Sequence, residues 1–279
     1  MKKLLAILMA AVMVFSFAAC TNDNAGNTDA DGDAGKKTSY DGLGVAIELT
    51  SEEYGIGFRK GSDLTNEVNA LIAELKEDGT LDALAGEYEL ALSDSEAEDA
   101  GEATVKDLDY IKANGKMIIG ITDYAPMNFK DDKGNWTGFD TEFAQAVCEK
   151  LGVEAEFVEI DWDNKFIALE SKAIDCIWNG MTISEEVLKN TSCSVAYVKN
   201  AQVVVMAEDK IADYKDAESM AELSFAVESG SAGYQAAVDA GYENVIEVGT
   251  QTDALLEVQS GSCDACIIDL TMANAMVGK

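Results

Sequence analysis

Residues 264–279 read DACIIDLTMANAMVGK. Positions 265–268 are small and apolar and predict a short buried strand, and 270–277 carry the spacing of a helix. A helix that follows a buried strand folds back onto that strand's own layer, and the layer needs further strands and helices beside it. None follows in these 279 residues. The missing neighbours have to be sought upstream.

From residue 105 onward, short apolar runs alternate with helical patterns. KMIIGI (116–121), AEFVEI (155–160), IDCIWN (174–179), LSFAVESG (223–230), NVIEVG (244–249) and CDACIID (263–269) predict strands. Residues 139–151, 164–171, 232–240 and 252–259 predict helices between them. Alternation at this length implies α/β architecture with parallel, doubly wound layers. The extended stretch SVAYVKNAQVVVMAE (194–208) divides two such units, which predicts two lobes joined by a crossing strand.

Residues 93–104, SDSEAEDAGEAT, hold five acids, no base and no large apolar side chain, and predict a linker. Before it, YGIGFRKGSDLTNEVNALIAELKEDGTLDALAGEYEL (54–90) predicts a strand and two amphipathic helices. Ser62 or Asp63 can cap the first helix, and Gly79 can end it. So small a block needs a partner to bury its apolar faces.

Composition narrows the function. The chain is 48% hydrophobic, with a net charge of −32 and no histidine. No cluster of Lys and Arg stands out, which argues against a nucleic-acid partner. Without histidine the usual general base and the commonest metal ligand are both missing. Met1-Lys2-Lys3, an apolar run at 4–19 and FAAC ending at Cys20 have the layout of a secretory signal, residues 1–20. Residues 21–37 are polar and predict a flexible tether. Besides Cys20 the chain has Cys148, Cys176, Cys193, Cys263 and Cys266, an odd number that argues against a disulfide framework. Cys263 and Cys266 lack the further ligands zinc requires, so neither a metal nor a cofactor is expected.

Five stretches carry a family resemblance. YAPMNFKDDKGNWTGFDTEFAQAVCEKLG (124–152), IDCIWNGMTIS (174–184), VESGSAGYQAAV (227–238), DALLEVQSGSCDACIIDLTMA (253–273) and the 54–84 stretch resemble the polar amino-acid family of ABC-importer solute-binding proteins, family 3. The resemblance implies a type II periplasmic-binding-protein fold: two α/β lobes joined by two hinge strands, with a ligand cleft between them. It also implies a small polar solute, an amino acid or an analogue, and the membrane subunits of an importer as partners. A monomer is expected. The small residues before Cys20 resemble a bacterial lipobox, implying an extracytoplasmic lipoprotein held to the membrane through lipid on Cys20.

The order of the pieces departs from the family, where the YGIGFRKGSDL stretch closes the domain. The expectation is a circular permutation joined by the acidic linker 93–104. Residues 38–51 then end lobe two and supply one hinge strand (48–51), and 52–92 complete lobe one. Residues 105–197 form the rest of lobe one, 198–201 the second hinge strand and 202–279 the rest of lobe two.

The resemblance also implies a ligand set. Asp269, at the end of a buried strand, would take an α-ammonium, although an N-cap for the helix at 270–277 fits the local sequence too. Ser231 and Ala232 in SGSAG match the lobe-two carboxylate contact at a helix start. Tyr124 and Trp162 match aromatic walls around the ligand side chain, with core packing the plainer account of each; Trp178 fits either core or pocket. Asn179, Gly180, Met181 and Thr182 match the lobe-one segment that offers backbone groups and a hydroxyl. In TISEEVLKN (182–190) the family pattern places an arginine where this chain has Val187. Unless Lys189 or Lys199 reaches in, nothing replaces its grip on a carboxylate. Two other functions fit the scaffold: a dehydratase-like lyase using Asp269 and Asp161, and a ligand-sensing module of a signalling system.

Overall fold

The computed structural model describes residues 39–97 and 100–278. The signal, Cys20 and the tether lie outside them.

In chain order the first elements are β1 (Leu43–Glu48), β2 (Glu52–Tyr54), β3 (Gly57–Arg59), α1 (Leu64–Glu77) and α2 (Thr80–Glu87). After the acidic linker come α3 (Asp107–Asn114), β4 (Lys116–Ile121), a hairpin of β5 (Phe129–Lys130) and β6 (Trp136–Thr137), α4 (Phe139–Leu151) and β7 (Glu154–Glu159). Then follow α5 (Lys165–Glu170), β8 (Cys176–Ile177), α6 (Glu185–Asn190), β9 (Thr191–Cys193), β10 (Val198–Asn200) and β11 (Gln202–Ala207). The chain closes with β12 (Phe225–Glu228), α7 (Ala232–Asp239), β13 (Val245–Val248), α8 (Gln251–Ser260), β14 (Ala265–Asp269) and α9 (Leu270–Met276).

Two five-stranded sheets organise these elements. One runs β7-β4-β8-β3-β9 and the other β1-β11-β14-β12-β13. The early strands therefore enter both: β3 pairs with β8 and β9, and β1 pairs with β11. Helices cover both faces of each sheet, as two-sided burial of Val- and Ile-rich strands requires. In one lobe Leu255 of α8 and Ala236 of α7 belong to separate apolar clusters, and in the other Phe143 of α4 and Leu169 of α5 do. α1 and α2 pack on α4.

The layers are mixed, which corrects the expectation of parallel ones. β3 and β11 each run against the other four strands of their sheet. Each arrives along a segment crossing from the other lobe, without the helical crossover that parallel pairing demands. Those segments run together as a two-stranded ribbon, β2 antiparallel to β10. The paired residues on the first segment are Glu52–Tyr54, just past the 48–51 expected from sequence.

The two ends of the described chain meet. The Tyr40 amide donates to the Met276 carbonyl at 2.8 Å, and Tyr40 bridges Val277 in parallel. α9 packs on β11 and β14, with Tyr40 beside its last turn. The linker is tied at both ends: the Ser93 amide donates to the Tyr197 carbonyl at 2.9 Å, and the Thr104 amide to the Gly61 carbonyl at 2.9 Å.

Local signals held in part. Asp63 stands at the N-cap of α1, but its Oδ1 accepts from the Leu108 amide at 2.9 Å, so it joins α1 to α3 instead of capping. Gly79 takes φ +81° between α1 and α2, a left-handed turn that favours glycine.

Candidate functional site

Residues at or beyond the carboxyl ends of β4, β7, β8, β12 and β14 line a cleft of about 890 Å³ between the lobes. Sites on open α/β sheets collect there because the strands end together and the loops diverge. All nine residues named from the sequence line it: Tyr124, Trp162, Asn179, Gly180, Met181, Thr182, Ser231, Ala232 and Asp269.

Asp269 closes β14 and is only 5% exposed. Although it starts α9, its carboxylate makes no cap bond. Its Oδ1 accepts from the Tyr54 hydroxyl at 2.9 Å, from Gln202 Nε2 at 2.9 Å and from Asn200 Nδ2, and its Oδ2 accepts from Gln251 Nε2. All four donors are neutral. Burial, and then the nearby Glu52 charge, push the Asp269 pKa up, against the pull of those bonds. Asn200 and Gln202 also donate to Glu52 Oε1, at 2.7 and 2.8 Å, and so bridge the two acids.

Beside Asp269 the hydroxyls of Tyr54 and Tyr124 lie 2.5 Å apart, and each reaches Thr271 Oγ1, at 2.9 and 2.5 Å. Tyr124 thereby links the lobes through its hydroxyl and is 2% exposed, so little of its ring faces the cleft.

In the 179–182 segment, side chains mostly hold the segment itself. Asn179 gives both ends of its amide to Thr122 and Asn128. The Gly180 amide donates to Asp140 Oδ2 at 2.6 Å. Gly180 has φ +55°, and a Cβ there would stand 2.6 Å from the Tyr124 ring. Asp140 is buried at the start of α4, and desolvation raises its pKa to about 7 despite bonds from Gly180 and Tyr197. The Met181 carbonyl accepts from the Gly55 amide at 2.9 Å, and Thr182 Oγ1 donates to Glu52 at 2.7 Å. Trp162, Met181 and Val187 pack in one apolar cluster that forms the lobe-one wall. Trp178 resolves to core: it is fully buried, edge-on to Phe143 at 4.9 Å, and does not line the cleft.

On the lobe-two side, Ser231 Oγ caps α7 by accepting from the Tyr234 amide at 3.1 Å, with Ala232 opening the helix. Glu228, which ends β12, was not anticipated from sequence. It is 4% exposed, and its Oε1 has no hydrogen-bond partner among the described residues. Burial raises its pKa to about 8, with Asp269 adding to the rise and Lys165 opposing it.

Lys165, at the first position of α5, is the only basic residue lining the cleft among the described residues. Its Nζ donates to the Trp162 carbonyl at 3.2 Å and, across the cleft, to the Gly230 carbonyl at 2.8 Å. Burial lowers its pKa, while Glu186 and Glu228 counter the fall. Neither Lys189 nor Lys199 lines the cleft; Lys199 pairs with Asp94 at 2.6 Å. Among the described residues no group of three or more Cys, Asp or Glu has a metal-holding arrangement, and no helix is long and apolar enough to cross a membrane. Cys266 lies buried in β14 and Cys263 is buried just before it, and desolvation raises both thiols.

Residues 117–258 match the family model for bacterial extracellular solute-binding proteins, family 3. The L-cystine-binding protein TcyJ of Escherichia coli K12 is 30% identical over 176 residues, covering 62% of this chain and 65% of that protein. The arginine-binding extracellular protein ArtP of Bacillus subtilis is 32% identical over 163 residues, 55% of this chain and 61% of its own. The chain thus spans just under two thirds of the length of either relative. Among solved structures, the arginine-bound form of truncated ArgBP from T. maritima is 34% identical, with a TM-score of 0.57 over 60% of this chain and 79% of that one. A family match across half of the sequence, on two lobes that face each other over a lined cleft, has one meaning: the chain belongs to the family 3 extracellular solute-binding proteins.

Proposed function

We propose that this protein captures a small polar solute, an amino acid or an analogue of one, in the inter-lobe cleft and delivers it to the membrane subunits of an ABC importer. The observation that carries this is the cleft itself, walled by both lobes and floored by the buried Asp269 carboxylate. Relatives named for binding cystine and arginine support an amino-acid-like solute and argue for binding over catalysis. Ligand contacts on both walls favour the closed arrangement, and closure is the signal an importer reads. The β2–β10 ribbon with its flanking residues serves as the hinge.

Two further features belong to the same proposal. The basic start, apolar run and Cys20 support export and lipid anchoring, so that the protein works tethered outside the membrane. The entry of β1 and β3 into opposite sheets, the meeting of Tyr40 with Met276 and the acidic linker support a circular permutation of the family's chain order. Permutation is cheap when old and new ends are surface neighbours.

Calorimetry on the purified full-length protein, with the twenty L-amino acids and their decarboxylated amines as probes, tests the capture. One-to-one binding, a smaller radius of gyration on saturation and unchanged ligand by NMR are expected. Conversion of a bound probe to product would make it an enzyme, and no binding by any probe would remove the assignment.

A further inference from the structure

The charge in the cleft is lopsided. Eight acids and one base line it. The base, Lys165, already donates to two carbonyls and lies over the rings of Trp162 and Phe166 at 5.0 and 4.8 Å. Asp269 is served by neutral donors alone, which satisfy its lone pairs and leave its charge uncompensated. Glu228 lacks even that. Its residue is 96% buried, it lines the cleft, and its Oε1 accepts no bond from any described residue. Asp107 Oδ1 and Asp140 Oδ1 are also unpaired but belong to residues off the cleft; of these three carboxylates Glu228 alone lines it, where a donor that arrives with the ligand can complete it.

The opposite wall sets the other end. Glu185 and Glu186 form the first turn of α6, directly before the apolar Val187, and both line the cleft. Val187 itself adds an apolar side chain to this wall. A carboxylate entering here would meet one base, Lys165, and the amides at the start of α7, among charged side chains that are otherwise acidic. Ammonium groups meet an acid on either wall.

We infer that the cleft selects a small aliphatic amine with two cationic ends and no carboxylate, one end on Glu228 beside Asp269 and the other toward Glu185 and Glu186. This rests on the cleft being the solute site and adds the class of solute. Such a ligand bridges two walls that both carry acids, so its binding and lobe closure are the same event.

Matched pairs isolate the carboxylate. Lysine is compared with 1,5-diaminopentane, and arginine with 4-aminobutylguanidine, by calorimetry on the full-length protein at pH 8. Salt at about 150 mM screens the acidic surface, so that only one-to-one binding is counted. The amine of each pair is expected to bind at least tenfold more tightly than its amino acid. Glu228→Gln, which keeps shape and removes charge, is expected to weaken 1,5-diaminopentane at least tenfold, while its circular dichroism stays that of the parent. An amino acid binding as tightly as its amine in either pair overturns the inference, and so does an unchanged affinity in Glu228→Gln. If only neutral or acidic amino acids bind, the dication falls and solute capture stands. If no solute binds, both fall.

Discussion

Two groups of buried acids in this molecule are treated in opposite ways. In the lobe built on β4, Arg59 lies between Asp107 and Asp175, with Nε 3.0 Å from one carboxylate and Nη2 2.9 Å from the other. Its Nη1 donates to the carbonyls of Leu169 and Ile174 at 3.2 and 2.7 Å, and Asp175 Oδ2 accepts the Ile118 amide at 2.9 Å. Desolvation is answered inside the chain. In the cleft, Glu228 and Asp269 are just as buried, and no arginine or lysine pairs with either among the described residues. The first cluster holds its own cation, although Asp107 Oδ1 accepts no hydrogen bond. The second has no paired cation of its own, and that difference in counter-charge separates a structural ion group from a cleft poised for a ligand.

The largest effect is expected from breaking the cluster that holds its own cation. Arg59→Leu strands two carboxylates in an apolar layer, and removing one partner of a buried pair typically costs about 3–5 kcal/mol. For a domain of this size the thermal midpoint should fall by on the order of 10 °C. Arg59 joins β3 to α3 and to the turn before β8, so the loss also weakens the contact between the early and late parts of the chain. Scanning calorimetry measures it. A midpoint within 2–3 °C of the parent, about 1 kcal/mol on this scale, would erase the contrast with the cleft.

The open cluster should respond to pH in the reverse sense from an ordinary ion pair. The Glu228 carboxyl holds its proton in the folded, ligand-free protein up to about pH 8, whereas the unfolded chain releases it near 4.5. Between those values the folded state binds the extra proton, so stability falls as pH rises. The groups facing Glu228 are Asp269 on β14, Asp253 on α8, Asp161 ahead of Trp162, and Lys165 on α5; only the last favours the charged form. Glu228→Gln removes its share of the slope and leaves that of Asp269 and Asp140. At pH 7 the variant should be the more stable by up to about 3 kcal/mol, shrinking toward zero at pH 4.5. Urea titrations across that range would show it, and parallel curves for parent and variant would mean that Glu228 is solvated. A cationic ligand restores the missing charge, so its affinity should rise from pH 6 to pH 8.

What could be read before any coordinates follows the same divide. The alternation of strands and helices from 116 onward is a periodic signal spread over many residues, and the elements formed there. The dependence of the 54–90 block on the rest was equally legible, because its apolar faces had nothing local to cover them. Asp269 stood out at the end of a continuous apolar run. Glu228 ends a similar run in LSFAVESG, yet an acid there looks like any solvated strand end; in the fold it is buried and faces Lys165 and Asp161 of the other lobe. Arg59 in GFRKGS and Lys165 in WDNKF are equally silent, since the burial of a lone charge is decided by residues 48–116 positions away. Strand direction escaped for the same reason. β3 and β11 carry apolar patterns that fit either sense, and only the crossing ribbon makes them oppose their sheets.

The smallest effect is expected where the lobes touch at the cleft mouth. Gly230 has φ +67°, and a Cβ there would stand 2.7 Å from Asp163 Oδ1 and 2.9 Å from Asp163 Cα, across the cleft. The same residue's carbonyl accepts from Lys165 Nζ. Gly230→Ala therefore carries a left-handed penalty of about 1 kcal/mol and wedges the mouth open against backbone that cannot swing away. Unlike Arg59→Leu, it should leave the thermal midpoint of the empty protein within a few degrees of the parent, while ligand affinity drops about tenfold, or 1.4 kcal/mol. Small-angle scattering should show a saturated variant that stays more open than the saturated parent. A variant that binds and compacts like the parent would mean that the Lys165–Gly230 contact plays no part in closure, and that the incomplete acid cluster is completed by the ligand alone.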